Sequence, residues 1–204
     1  MLGLFLKGGI IMWPILALSI VSLSIIMDRF YSFFKARLDV SRFLFKIENF
    51  LREGKKDEAL YMCEKSKSPV ARICAVVIDN FELPYRVREE IFSQYISAEI
   101  RKLGKNVRFL GIIGHVLPLL GLFGTVVGMI KAFMAVENAK GAVVNPGALA
   151  GGIWEALLTT AAGLAVAIPT LIIYHYLEGK LEDISLQMND VVFQVEGFLR
   201  EVRK

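Results

Sequence analysis

Glu155 is the one acidic or basic residue in an otherwise uncharged run from Gly141 to Leu177. A charged carboxylate in mid-helix costs about 2.5–3.5 kcal/mol to place in a bilayer, so it must face protein or water rather than lipid. Three chemistries fit: a hydrogen-bond acceptor between subunits, a station on an ion path, or a side chain reaching back to the nearby interface. Thr159 and Thr160 follow it, and Thr125 lies in a second uncharged run, Phe109 to Ile130. A hydroxyl in a membrane helix often only bonds its own backbone. Thr125 and Thr160, however, fall at similar depths, roughly 10 to 15 Å below one surface by helical rise. His115 lies near the other end of that run and suits an interfacial or capping role better than a relay. No chain of Asp, Glu and His crosses the hydrophobic runs. Threonine cannot bind and release a proton, so a proton path here needs its titrating carboxylate from a partner.

The residues around these groups are small. Gly114, Pro118, Gly121, Thr125, Gly128 and Ala132 repeat at 4, 3, 4, 3 and 4; Gly152, Ala156, Thr160, Gly163 and Ala167 form a second stripe. Small residues let helix backbones approach closely. The stripes therefore serve plain helix packing, or line a narrow central space that holds another protein's helix. Pro118 and Pro169 free the carbonyls of Gly114 and Ala165, which need a donor other than lipid.

A third uncharged run, Gly8 to Met27, also reaches the roughly 20 residues that span a hydrocarbon core. It lacks the basic start and cleavage site of a signal peptide and reads as a retained anchor. Apolar residues make up 55% of the 204, above the roughly 45–50% of soluble domains, and mean hydropathy is +0.53. The net charge of +4 reflects topology rather than nucleic-acid binding. Lys35, Arg37, Arg42, Lys46, Arg52, Lys55 and Lys56 follow the first run, and Arg101, Lys102, Lys105 and Arg108 precede the second. Basic loops stay cytoplasmic. The C-terminal tail, with Arg200, Arg203 and Lys204, is then inside; Lys7, Lys131 and Lys140 are the bases assigned outside.

The expected architecture is an all-α integral membrane protein with three transmembrane helices, the second and third extended as long helices into the cytoplasm. Residues 1–36 hold the first span and a short outer N-terminus, and 37–108 a cytoplasmic helical segment. The second span is 109–136, a periplasmic link 137–145, the third span 146–178, and a cytoplasmic helical tail 179–204. Gly54 stops a helix that starts near Asp39; Ser68-Pro69 caps the next; Pro84 opens a long helix with an apolar stripe of Val87, Ile91, Tyr95, Ala98, Leu103, Val107 and Leu110. In the tail, Leu177, Leu181, Ile184, Met188, Val191, Val195, Phe198 and Val202 keep a heptad pattern. One helix of roughly 85 Å from about Pro146 to the end follows, and its seam needs cover from the Pro84 helix or a neighbouring subunit. Cys63 and Cys74 are expected as buried thiols without a disulfide or metal role. No nucleotide motif occurs, and neither enzyme chemistry nor a cofactor is indicated.

The segment Gly114-His-Val-Leu-Pro118-Leu-Leu-Gly121-Leu-Phe-Gly124-Thr125-Val-Val-Gly128 resembles the second-span motif of the ExbB/TolQ proton channel family. Gly152-Ile-Trp154-Glu155-Ala156-Leu-Leu-Thr159-Thr160-Ala-Ala-Gly163-Leu, with Ile168-Pro169, resembles its third-span motif. Trp154 replaces a usually small residue and Thr159 doubles the threonine. The resemblance implies a homopentamer in the bacterial inner membrane, its second and third spans lining a pore. That pore holds the helices of an ExbD- or TolR-like dimer, whose aspartate binds the proton. Proton motive force would then energise a TonB- or TolA-like transducer for work at the outer membrane. By position, Thr125 and Thr160 match the family's pore threonines, Glu155 its third-span glutamate and Pro118 its second-span proline. The expected proton-pathway set is Thr125, Thr159, Thr160 and Glu155, with Gly114, Pro118, Gly121, Gly128, Gly152, Ala156, Gly163 and Ala167 packing helices at the pore. A non-conducting scaffold and a flagellar-type stator, whose relatives have four spans, are the alternatives. Nucleic acid is not expected as a partner; the lipid bilayer is.

Overall fold

The computed structural model describes residues 8–35, 38–138 and 146–202. Most of the 137–145 link, and Lys7, Arg37, Lys140, Arg203 and Lys204, fall outside them. The described residues form six helices: α1 (Met12–Lys35), α2 (Val40–Arg52), α3 (Lys56–Lys65), α4 (Pro69–Asn80), α5 (Tyr85–Glu137) and α6 (Pro146–Val202). Helices α1, α5 and α6 are long and apolar enough to cross a membrane. The chain divides into two compact units: residues 1–27 with 106–176, and residues 28–105 with 177–204.

The second unit is built by local signals of the expected kinds. Asp39 caps α2 by accepting from the Arg42 amide. Gly54 sits just past the end of α2 with φ +73°, a left-handed turn that suits glycine. The Ser68 hydroxyl oxygen accepts from the Val70 amide at the start of α4, with Pro69 in its first turn. Helix α3, which no capping side chain marks, fits between Gly54 and Ser68. The tail seam is covered within the chain except at its last position, Val202, which is exposed. Met188, Val191 and Val195 are buried in one core with Ile47, Ile73, Cys74, Val77, Phe92 and Ile96.

The stripe expected on the Pro84 helix is displaced in its first turns. Val87 and Ala98 are exposed, Ile91 and Tyr95 half-buried, and Phe92 and Ile96 are in the core. The cause is polar burial: Arg88 and Glu99 occupy inward positions and are paired with opposite charges there. Arg88 donates to the Phe81 carbonyl at 2.9 Å, lies over the Phe81 and Tyr85 rings at 5.0 and 5.5 Å, and pairs with Glu196. Glu99 pairs with Arg72. Cys63 and Cys74 are both reduced and fully buried. Hydrogen bonding with Cys63, together with burial, pushes the Cys74 thiol well above its ordinary value.

In the first unit, Ile11 and Ile15 of the first-span segment pack with Ile113 and Leu117 of α5 and Ala167 of α6. Leu120, Val127, Ala162 and Val166 lie around them. This leaves α5 and α6 antiparallel neighbours whose opposite side the first span does not cover.

Candidate functional site

Helices α5 and α6 meet along the two small-residue stripes, and the fit leaves no room for larger side chains. A Cβ on Gly163 would lie 2.8 Å from the Leu117 carbonyl oxygen. One on Gly128 would lie 2.8 Å from both the Ala156 Cβ and the Gly152 oxygen, and one on Gly152 2.9 Å from the Ala132 Cβ. Gly114 faces Leu171 and Gly121 faces the backbone of Thr160. Ala156 and Ala167 are buried. Pro118 is half-buried and Pro169 exposed, both inside unbroken helix. The stripes thus pack α5 on α6 inside one chain, with no space between them for a further helix. Of the two roles open to the stripes, the contact seen within the chain is helix packing: their lack of side chains brings the two backbones together.

The threonines separate into three environments. Thr159 is 1% exposed, lies against Gly124, and donates to the carbonyls of Glu155 and Ala156 in its own helix. Thr160 is half-buried and donates across the helix pair to the Gly121 carbonyl at 2.9 Å. Thr125, one turn on from Gly121, is half-buried and donates to the Leu122 carbonyl at 2.6 Å. Thr125 stands two residues before Val127, and Thr160 two before Ala162, the residues that flank the first span. At roughly 100° per residue, two steps turn a side chain to the far side of its helix. Both threonines therefore lie on the side of the α5–α6 pair that faces away from the first span.

Glu155 lies elsewhere. Its carboxylate contacts Gly9 and receives the Lys131 ammonium at 2.5 Å. Five residues separate it from Thr160, which sets the two roughly 140° apart around α6. The structure brings Thr125 and Thr160 to one side and sends Glu155 to the other, against the first-span segment. Lys131 was legible only as a base near the outer end. Its pairing required knowing how α5 and α6 register, which the spacing of small residues does not set. His115 is exposed, its Nδ1 2.8 Å from the Gly111 carbonyl of its own helix. Among the described residues no group of His, Cys, Asp and Glu is placed to hold a metal.

What this scaffold can do chemically is limited by its groups. Two hydroxyls on an exposed helix-pair face can accept, donate and orient water. Neither titrates near neutral pH, so neither is a proton-binding station.

The model of the MotA/TolQ/ExbB proton channel family matches residues 65–190. A putative ExbB homolog of Methanothermobacter thermautotrophicus is 30% identical over 186 residues, 89% of this chain but 64% of the relative's length. The TolQ protein of the Tol-Pal system of Haemophilus influenzae is 30% identical over 98% of this chain and 90% of its own. The exbB1 biopolymer transport protein of Vibrio cholerae is 28% identical over 80% and 72%. The chain spans just under two thirds of the archaeal relative and nearly all of the Haemophilus one. With its three membrane-length helices and this family match over most of its length, this chain is a multi-pass membrane protein, not an enzyme, and belongs to the MotA/TolQ/ExbB proton channel family.

Proposed function

We propose that the chain is one subunit of a pentameric proton channel in a bacterial inner membrane, with its N-terminus periplasmic and its C-terminus cytoplasmic. The side of the α5–α6 pair that carries Thr125 and Thr160 faces the centre. That centre holds the single-span helices of a dimeric partner of the ExbD or TolR type, which brings the titrating carboxylate. Proton motive force acting on that carboxylate moves the dimer inside the ring and energises a TonB- or TolA-type transducer at the outer membrane.

One observation carries this reading: two threonines share a face that the chain's own first span leaves uncovered, and the chain's lone mid-run carboxylate is not on it. A hydroxylated, acid-free wall suits a borrowed acid. Leu122 and Leu164, each about one turn along its helix from a threonine, are exposed in the single chain, which gives a partner helix an apolar surface to slide on.

The test is a complex extracted from membranes with its co-expressed partner and imaged well enough to count subunits and locate foreign helices. Five copies around two such helices, with Thr125 and Thr160 toward them, is the expected result. A lipid-coated threonine face, or a ring closed on itself, overturns it.

A further inference from the structure

Lys131 and Glu155 stand near the ends of the spans where α5 stops and α6 begins, Lys131 six residues before Glu137 and Glu155 nine after Pro146. Their ion pair joins the two helices at 2.5 Å. The carboxylate side chain is 19% exposed and the ammonium 49%. A third element closes over the pair. Gly9, at φ +70°, lies so close that any Cβ there would overlap the Glu155 carboxylate, and Gly8 packs on Met12 and Leu158. The backbone then turns into α1 through the bonds of the Met12 amide to the Gly9 carbonyl and the Trp13 amide to the Ile10 carbonyl, each 3.3 Å. The carboxylate therefore sits beside the turn that leads into α1.

We propose that Lys131 is a positioning residue that fixes Glu155 as the charged link among all three spans, and that Glu155 in this chain holds the bundle together and does not carry protons. A carboxylate that shuttles protons has to be reachable from the ion path and free to change charge. This one is turned roughly 140° around α6 from Thr160, covered by a glycine, and matched by an opposite charge. Lys131 supplies what a buried-side carboxylate otherwise lacks. Removing either partner strands the other, whereas removing both together leaves nothing unpaired.

That logic sets the experiment, on the full chain in membranes with its partner. Lys131→Met and Glu155→Gln are each expected to lower the melting temperature of the extracted complex by several degrees and to depress gradient-driven work. The double variant Lys131→Met/Glu155→Gln, and the charge-reversed Lys131→Glu/Glu155→Lys, are expected to recover most of both. A neutral double variant that melts like the parent yet does no gradient-driven work overturns the proposal, because the carboxylate is then needed for transport. Single variants that melt like the parent also overturn it. The melting comparison does not depend on the channel reading above. A parent chain that supports no gradient-driven work in the same cells sinks that reading and leaves the positioning role to be decided by melting alone.

Discussion

The Thr160 hydroxyl donates to the Gly121 carbonyl across 2.9 Å, and that carbonyl is the one a regular helix offers to the amide of Thr125. The bond is possible because Gly121 has no side chain. A Cβ there would lie 3.0 Å from the Thr160 Cα. Two threonines 35 positions apart in the chain are thereby tied to one turn of α5.

The two hydroxyls are nevertheless expected to behave differently when removed. Thr160→Val deletes a bond between helices, and in membranes such bonds are worth about 0.6 kcal/mol, up to about 1.7. A measurable fall in unfolding free energy is expected with loss of gradient-driven work. Thr125→Val deletes only a bond to its own helix, so stability should be unchanged within error while work is impaired. If both variants work normally, the threonines do not face the ion path.

Glycine substitutions report the helix contact independently of transport. At Gly163 an added methyl meets the Leu117 carbonyl at 2.8 Å and Gly121 backbone atoms at 3.2 and 3.3 Å. Backbone cannot rotate aside, so Gly163→Ala should force α5 and α6 apart and cost about 1–3 kcal/mol. Gly151→Ala, in the same helix with nothing within 4 Å, should be neutral or slightly stabilising, by about 0.4–1 kcal/mol. Equal effects at the two positions would refute the α5–α6 register.

Much of this was legible in the chain. Three uncharged runs of membrane length became α1, α5 and α6; Asp39, Gly54 and Ser68-Pro69 punctuate helices as their chemistry dictates. The 4,3 spacing of glycines located the contact faces but not what they contact, since close packing within a chain and between chains demands the same small residues. Glu155 shows the other limit. Its cost in a bilayer was readable from its type, but its partner Lys131 is 24 residues away on the neighbouring helix α5. The inward turn of Arg88 was equally hidden, because a periodicity argument assigns a cation outward. The Glu196 carboxylate, the Phe81 carbonyl and the rings of Phe81 and Tyr85 together make the inward position tolerable.

The buried thiols give a pH prediction. Cys74 is held well above its ordinary value by Cys63 and by burial. The folded protein therefore keeps its proton at pH values where the unfolded chain has released it. Stability from this group is intact below the ordinary thiol value of about 8.5 and falls as pH rises beyond it. Alkylation of either cysteine at pH 8 should be far slower in the native protein than in denaturant. Cys74→Ala should flatten the alkaline decline in stability while lowering stability at neutral pH. Rapid native-state labelling would show that the thiols are not enclosed as described.

The Arg88–Glu196 pair makes the final prediction. Glu196 Oε1 lies 2.7 Å from Arg88 Nε, at an angle that makes the contact an ion pair without a hydrogen bond to that nitrogen. Both side chains are about nine-tenths buried, at 11% and 10% exposure, and Arg200 reaches the other Glu196 oxygen at 3.3 Å. Desolvation offsets much of the attraction between such charges, so the pair contributes little net stability although each member depends on the other. Arg88→Met leaves Glu196 only the exposed Arg200, and Glu196→Leu leaves Arg88 only the Phe81 carbonyl and two rings. Each single change should cost about 3 kcal/mol, toward the low end of the roughly 3–5 kcal/mol for breaking a buried pair, since a substitute partner remains. Arg88→Met/Glu196→Leu should cost clearly less than the sum and fall near the parent, because two apolar side chains would then meet in the same space. Strictly additive losses in that cycle would mean the two residues act separately and that the pairing does not hold α5 to the tail.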